Sequence, residues 1–72
     1  MNIQEFKKRA NTKGFTREEM WNGLQIEDKL FTIDTCMGGR YWTVSVKSEG
    51  KWKTLCTRAL FNTAINKITS QF

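Results

Sequence analysis

The chain has 72 residues, of which 39% are hydrophobic and 26% are charged, a composition typical of one small soluble domain spanning residues 1–72. A chain of this length buries only about 60% of the surface that it exposes when unfolded, which leaves little room for an enclosed catalytic cleft. The net charge of +5 comes entirely from residues 37–72, which carry six basic residues and one acid, whereas residues 1–36 carry six of each sign. This asymmetry favours a polyanion or an acidic protein surface as the partner.

Two short helices are predicted at the N-terminus. In "NIQEF", Asn2 and Glu5 have the spacing of a capping box and open a helix over residues 3–11, whose basic residues Lys7, Lys8 and Arg9 point to solvent. In "GFTREEMWNGL", Thr16 and Glu19 form a second capping box and open a helix over residues 17–24. Phe15 and Met20 have the spacing of a hydrophobic staple around this second cap.

The period changes from about 3.6 to 2 after Lys29, which predicts three strands. They are "LFTIDT", "RYWTVSVK" and "WKTLC", and the turns between them contain Gly38, Gly39 and Gly50. The segment between the second helix and the first strand, "GLQIEDK", is assigned to a loop. The side chains expected on the core face of the sheet are Trp42, Val44, Val46 and Trp52.

The C-terminal segment carries an apolar stripe typical of a helix that covers a sheet. The stripe contains Leu60, Phe61, Ala64, Ile65 and Ile68. It predicts a helix over residues 58–69 with Thr57 as its N-cap. The sequence thus predicts an α+β fold of order α-α-β-β-β-α. A three-stranded antiparallel sheet is accompanied by two short N-terminal helices and one C-terminal amphipathic helix, packed on one or both faces.

The available reactive side chains argue against an enzyme. The sequence contains no histidine, no glycine-rich phosphate loop and no spaced pair of catalytic carboxylates, and the adjacent Glu18 and Glu19 are explained by helix capping. Cys36 and Cys56 have no base beside them in the sequence, and two cysteines alone do not complete a four-ligand zinc site. We therefore predict no catalytic residue, no metal, no cofactor and no small-molecule substrate.

The same inventory bears on the cellular compartment. No apolar run approaches the roughly 18 residues that span a bilayer, and no apolar signal segment follows the first residues. Cys36 and Cys56 are expected as two reduced, partly buried thiols. The sequence predicts a cytoplasmic protein without a membrane partner, and it leaves the oligomeric state open.

One segment, "RYWTVSVKSEGKWK", combines two tryptophans, a tyrosine and four basic residues with a single acid. Strand alternation is expected to place Tyr41, Lys47 and Lys53 on one side, with Arg40 and Lys51 at the ends of the hairpin. Trp52 is added as an aromatic anchor. The candidate partner-binding surface, called the hairpin set below, is Arg40, Tyr41, Lys47, Lys51, Trp52 and Lys53.

Two arrangements of this hairpin remain open at the level of sequence. In the first, its outer face is exposed, so that the lysines neutralise phosphates and an exposed ring stacks on bases. In the second, the two N-terminal helices cover that face and the lysines only reach solvent at its rim. If the second arrangement holds, the binding surface is expected on Lys7, Lys8, Arg9 and Lys13 instead.

The order of elements resembles two nucleic-acid-binding folds. "RYWTVSVKSEGKW" and the helix that follows, about thirty residues, are similar to the three-stranded sheet and helix of the arm-binding domains of some integrases and of the plant AP2 type. With a helix before the sheet, the order resembles a double-stranded-RNA-binding domain. "TRALFNTA", at the start of the last helix, has only Arg58 where the RNA-binding family has a basic cluster, and no family is assigned.

Two functions of different classes follow from these features. The first is a small basic non-enzymatic module that binds nucleic acid or a nucleoprotein complex through the hairpin. The second is an inhibitor of the phage or mobile-element type, anti-defence or anti-CRISPR-like, that occupies an acidic surface of a host nucleic-acid-handling or defence enzyme. Arg40 and Trp52 suit either function, since arginine and tryptophan are favoured anchors at protein interfaces.

Overall fold

The computed structural model describes residues 1–12, 14–36 and 38–72. The elements in chain order are α1 (Ile3–Thr12), α2 (Arg17–Asn22), β1 (Leu24–Ile26), β2 (Lys29–Cys36), β3 (Tyr41–Ser48), β4 (Lys51–Ala59) and α3 (Phe61–Thr69). The strands form one antiparallel sheet in the order β1-β2-β3-β4, which confirms the α+β class. Lys13 and Met37, which the predictions place after the first helix and in the first turn of the sheet, lie outside the described residues.

The sheet has four strands, so the prediction of three is wrong. The additional strand, β1, lies where the sequence predicts the end of the second helix and a loop. Gly23, with a φ of 89°, ends α2 early, and Leu24 then pairs with Phe31 across a two-residue turn. A strand of three residues is too short for its alternation to be recognised in sequence, and here the pairing with β2 stabilises it.

β4 is longer than predicted and α3 correspondingly shorter. The strand continues to Ala59, so Thr57 is part of it, and α3 begins at Phe61 after Leu60, whose side chain makes no capping hydrogen bond. Val44 pairs with Cys56 while Ser45 pairs with Thr54, which leaves one extra residue in β4. A second irregularity follows toward Ala59, where Arg58 has a φ of 49°. Such bulges increase the twist of a strand.

All three helices pack on the same face of the sheet. The buried residues of the strands occupy alternate positions that face one layer, and the helices add buried side chains from α1 and α3. This core consists of Phe6, Leu24, Ile26, Phe31, Ile33, Val44, Val46, Ala64 and Ile68. Trp42 borders it as predicted and contacts the ring of Phe61 edge-on at 5.2 Å. The face that bears these residues is called the helix face below.

The capping box of α2 is confirmed and also joins the two N-terminal helices. Glu19 accepts a hydrogen bond from the Thr16 backbone N–H at 2.9 Å, and Arg9 of α1 binds the same carboxylate at 2.8 Å. These bonds, that from Thr16 foremost, lower the pKa of Glu19. The Arg9 guanidinium also lies 4.8 Å from the centre of the Phe15 ring. The prediction that Arg9 points to solvent is therefore wrong.

The two cysteines are free and lie two strands apart. Cys36 is exposed on β2, Cys56 is half-buried on β4, and β3 separates them. At about 4.8 Å per strand spacing, this separation exceeds the roughly 7 Å across which a disulfide forms without backbone movement. The positions of the two strands therefore exclude a disulfide between these cysteines within one chain.

We expect a Cys36→Ser, Cys56→Ser variant to keep its fold, because neither thiol is cross-linked. The wild-type chain, denatured without reductant, should react with two equivalents of an aromatic disulfide reagent, each cysteine forming a mixed disulfide and displacing one aromatic thiolate. Its melting temperature should be the same with and without reductant. A large fall in melting temperature on adding reductant would reveal a structural disulfide and contradict the assignment.

Candidate functional site

The face of the sheet opposite the helices is open. Strand pairing assigns eleven side chains to it: Gln25, Leu30, Thr32, Asp34, Cys36, Tyr41, Thr43, Ser45, Lys47, Trp52 and Thr54. Each of them is exposed or half-buried, whereas every buried strand residue belongs to the helix face. The N-terminal helices therefore do not cover this face. The second arrangement considered from sequence is wrong. The name open face is used for these residues below.

Lys47 and Trp52 form an exposed pair on the open face. They are directly opposed across β3 and β4, and the Lys47 Nζ lies 5.9 Å from the centre of the Trp52 ring. This distance is suitable for a cation–π contact. Trp52 is 51% exposed, so the prediction that it contributes to the core is wrong.

The hairpin turn explains why Trp52 lies on the open face rather than in the core. Glu49 and Gly50 have φ values of 54° and 77°, typical of a two-residue type I′ turn, and they pair Ser48 with Lys51. Counting back from that pair places Trp52 opposite Lys47 rather than opposite Val46, because directly opposed residues share a face. The register that the turn imposes thus outweighs the hydrophobicity of the tryptophan.

Lys51 and Lys53 do not share the open face with Lys47. They pair with Ser48 and Val46, so their side chains start from the helix face, and the expected common side for Lys47 and Lys53 is wrong. Both remain exposed, because β4 is the edge strand of the sheet. They therefore form a basic rim directly beside Trp52.

Arg40 and Tyr41 lie at the far end of β3. Tyr41 and Lys47 are six positions apart, which corresponds to about 20 Å along a strand. Tyr41 is half-buried on the open face opposite Cys36, and Arg40 is exposed in the preceding turn. The hairpin set is thus divided into a cluster at the turn end, made of Lys47, Lys51, Trp52 and Lys53, and a separate pair at the opposite end of the strand.

One basic residue of this edge was missed from sequence. The sequence predicts Arg58 in the last helix, yet it lies exposed in β4, toward the end that holds Arg40. Its apolar neighbours Leu60 and Phe61 continue the helical stripe, and no local signal separates it from that stripe. Lys51, Lys53 and Arg58 together define the basic edge.

The charge of the site is concentrated on the basic edge rather than on the open face. Of the residues assigned to the open face, Lys47 is the only cation and Asp34 the only anion. The two ion pairs found among the described residues join Arg9 to Glu19 and Lys29 to Asp28, so neither neutralises β4. The cations of the basic edge are therefore left without an ion-pair partner among the described residues.

A concave feature lies at the other edge of the sheet. It is a cleft of about 350 Å³ lined by Arg17, Met20, Trp21, Ile33, Asp34, Thr35, Cys36, Gly38 and Gly39. Trp21 is 85% exposed there. With one cation and one anion on its walls, the cleft has no clear preference for a charged ligand.

Two further observations concern other classes of site. Among the described residues, none of the helices has both the length and the apolar character needed to cross a membrane. Within the same ranges, no three His, Cys, Asp or Glu side chains are grouped as metal ligands would be.

Comparison of the chain with protein-family models, with curated proteins and with solved structures finds no match.

Proposed function

We propose that this chain is a small basic, non-enzymatic module that binds nucleic acid, alone or within a nucleoprotein complex. The observation that carries the proposal is the exposed Lys47–Trp52 pair, which adjoins Lys51 and Lys53 at the free edge of the sheet. Cations and an aromatic ring that are both open to solvent are the two elements that bind phosphates and bases.

Most of the binding free energy at such a site comes from its cations. Each lysine that neutralises a phosphate releases condensed counterions, and this release makes affinity fall linearly with salt concentration on logarithmic axes. The ring adds a contact with bases that is tolerant of sequence. The module should therefore bind nucleic acid with little sequence preference.

We expect the salt dependence to report on individual lysines. In a Lys51→Gln, Lys53→Gln variant, the slope of log affinity against log salt should become shallower by about 1.4–1.8 units, because each phosphate that is no longer neutralised contributes about 0.7 for a single strand and about 0.9 for a duplex. The measurement is a fluorescence-anisotropy titration of a labelled oligonucleotide between about 50 and 200 mM salt.

A matched control is available on the helix layer. Lys7 and Lys8 are exposed on α1, away from the basic edge, and their replacement by glutamine removes the same number of charges. This control should keep the wild-type slope to within a few tenths. If neither DNA nor RNA binds the wild-type protein even at low salt, the proposal is wrong.

The runner-up function is a protein-binding inhibitor of the phage or mobile-element type that occupies an acidic surface of a host enzyme. One observation favours it, namely the almost fully exposed Trp21, a residue type enriched at protein interfaces and placed here away from the basic edge. Under this function, Trp21→Ser should abolish capture of the partner, and nuclease treatment should leave that capture unchanged. Under the first function, nuclease treatment should abolish it.

A further inference from the structure

We infer that the nucleic acid is single-stranded, with its sugar–phosphate backbone along the basic edge and its bases turned onto the open face at Trp52. The inference rests on the proposed function and specifies the ligand of the same site. It follows from three properties of the described residues: where the charge lies, what the ring offers, and which polar groups surround it.

The division of charge assigns the phosphates to the edge. Lys51 and Lys53 are exposed on β4, whereas the open face carries one cation and one anion and so has almost no net charge. A strand that crossed the middle of the open face would therefore bring its phosphates close to Asp34. A strand along β4 keeps its phosphates beside lysines and leaves its bases free to reach the open face.

The Trp52 ring then requires an unpaired base. In a duplex the faces of the bases are covered by their stacked neighbours, so only a base outside a duplex offers its face to a flat ring. Trp52 is about half exposed, and the Lys47 Nζ lies 5.9 Å from the centre of its ring. The ring is thus available to one base at a time at the turn end of the hairpin.

A row of hydroxyl groups lies next to this ring on the open face. Thr32, Ser45 and Thr54 are directly opposed across β2, β3 and β4, one row in from Lys47 and Trp52. A hydroxyl both donates and accepts hydrogen bonds, so this row suits the edges of any base. The polar groups therefore match splayed-out bases and impose little choice of sequence.

The test compares one labelled oligonucleotide without self-complementarity, as a single strand and after annealing to its complement, by anisotropy at fixed low salt. We expect the single strand to bind at least about tenfold more tightly than the duplex. Trp52→Leu should weaken single-strand binding by about ten- to a hundredfold, which is the effect of removing one stacked base, and should leave duplex binding unchanged. Trp52→Phe, which keeps a ring, should retain most of the affinity.

Trp21→Leu is the matched control, since it removes another exposed tryptophan that lies away from β4 and should leave both affinities unchanged. Equal binding of the single strand and the duplex by the wild-type protein, a comparison that needs no variant, would overturn the inference and leave the proposed function standing. Unchanged single-strand binding by a folded Trp52→Leu protein would overturn it too. Failure to bind either oligonucleotide overturns both proposals.

Discussion

Ile68→Asp is expected to leave no stable folded state at 25 °C. Ile68 lies on α3 with its side chain fully buried in the core, and none of the described polar residues is buried there to pair with a carboxylate. Burying an unpaired charge costs several kcal/mol, and a chain of this size has a total stability of only about 4–11 kcal/mol. Far-ultraviolet circular dichroism and thermal melting measure the effect.

Two variants on the same helix separate the causes of this unfolding. Ile68→Ala removes apolar packing without adding a charge, and it should lower the free energy of unfolding by about 2–5 kcal/mol. Asn62→Asp adds the same charge at an exposed position in the first turn of α3 and should melt like the wild-type protein. If Ile68→Asp also melted like the wild type, the packing of α3 on the helix face would be contradicted.

The helices were predictable because their signals are local. The Thr16–Glu19 capping box depends on four consecutive residues, and both of its hydrogen bonds are present. Asn2 likewise accepts a hydrogen bond from the Glu5 backbone N–H at 2.8 Å. The predicted alternation of β3 is also confirmed, since Val44 and Val46 are buried in the core.

The features that were missed depend on interactions between distant segments. β1 is stabilised by its pairing with β2, and the Met1 backbone supports it by accepting a hydrogen bond from Glu27 N–H at 2.8 Å. Arg9 and Glu19 lie on different helices, so their contact depends on how α1 and α2 are placed beside each other. No periodicity within one segment encodes such interactions.

The candidate site likewise combines a composition that one segment encodes with side-chain positions that depend on strand pairing. The sequence predicted a basic, aromatic hairpin, and the positions of its side chains depend on register. The type I′ turn at Glu49 and Gly50 places Trp52 on the open face and Lys53 on the helix face, because a shift of one residue exchanges the two faces of a strand. The bulges near Leu55 and Arg58 then break the simple alternation in the second half of β4.

Reversing the charge at the basic edge should abolish nucleic-acid binding while leaving the fold intact. In a Lys51→Glu, Lys53→Glu variant, two carboxylates replace two ammonium groups where the phosphates are expected. Since like charges brought together at an interface cost several kcal/mol, affinity should fall by about a hundredfold or more. Both positions are exposed on an edge strand, so each change should alter the free energy of unfolding by less than about 0.5 kcal/mol.

The control for this variant is Lys7→Glu, Lys8→Glu, which lowers the net charge by the same amount from exposed positions on α1. If the site lies on β4, the control should bind almost as tightly as the wild-type protein, with only the small loss that a weaker overall field produces. Anisotropy titrations of the three proteins at one salt concentration, with melting curves for each, give the comparison. An equal loss in both variants would mean that net charge alone governs binding, and a loss confined to the control would move the site to α1. The assignment of the site to the basic edge is supported only if affinity falls in the Lys51→Glu, Lys53→Glu variant and not in the control, and if all three proteins melt at similar temperatures.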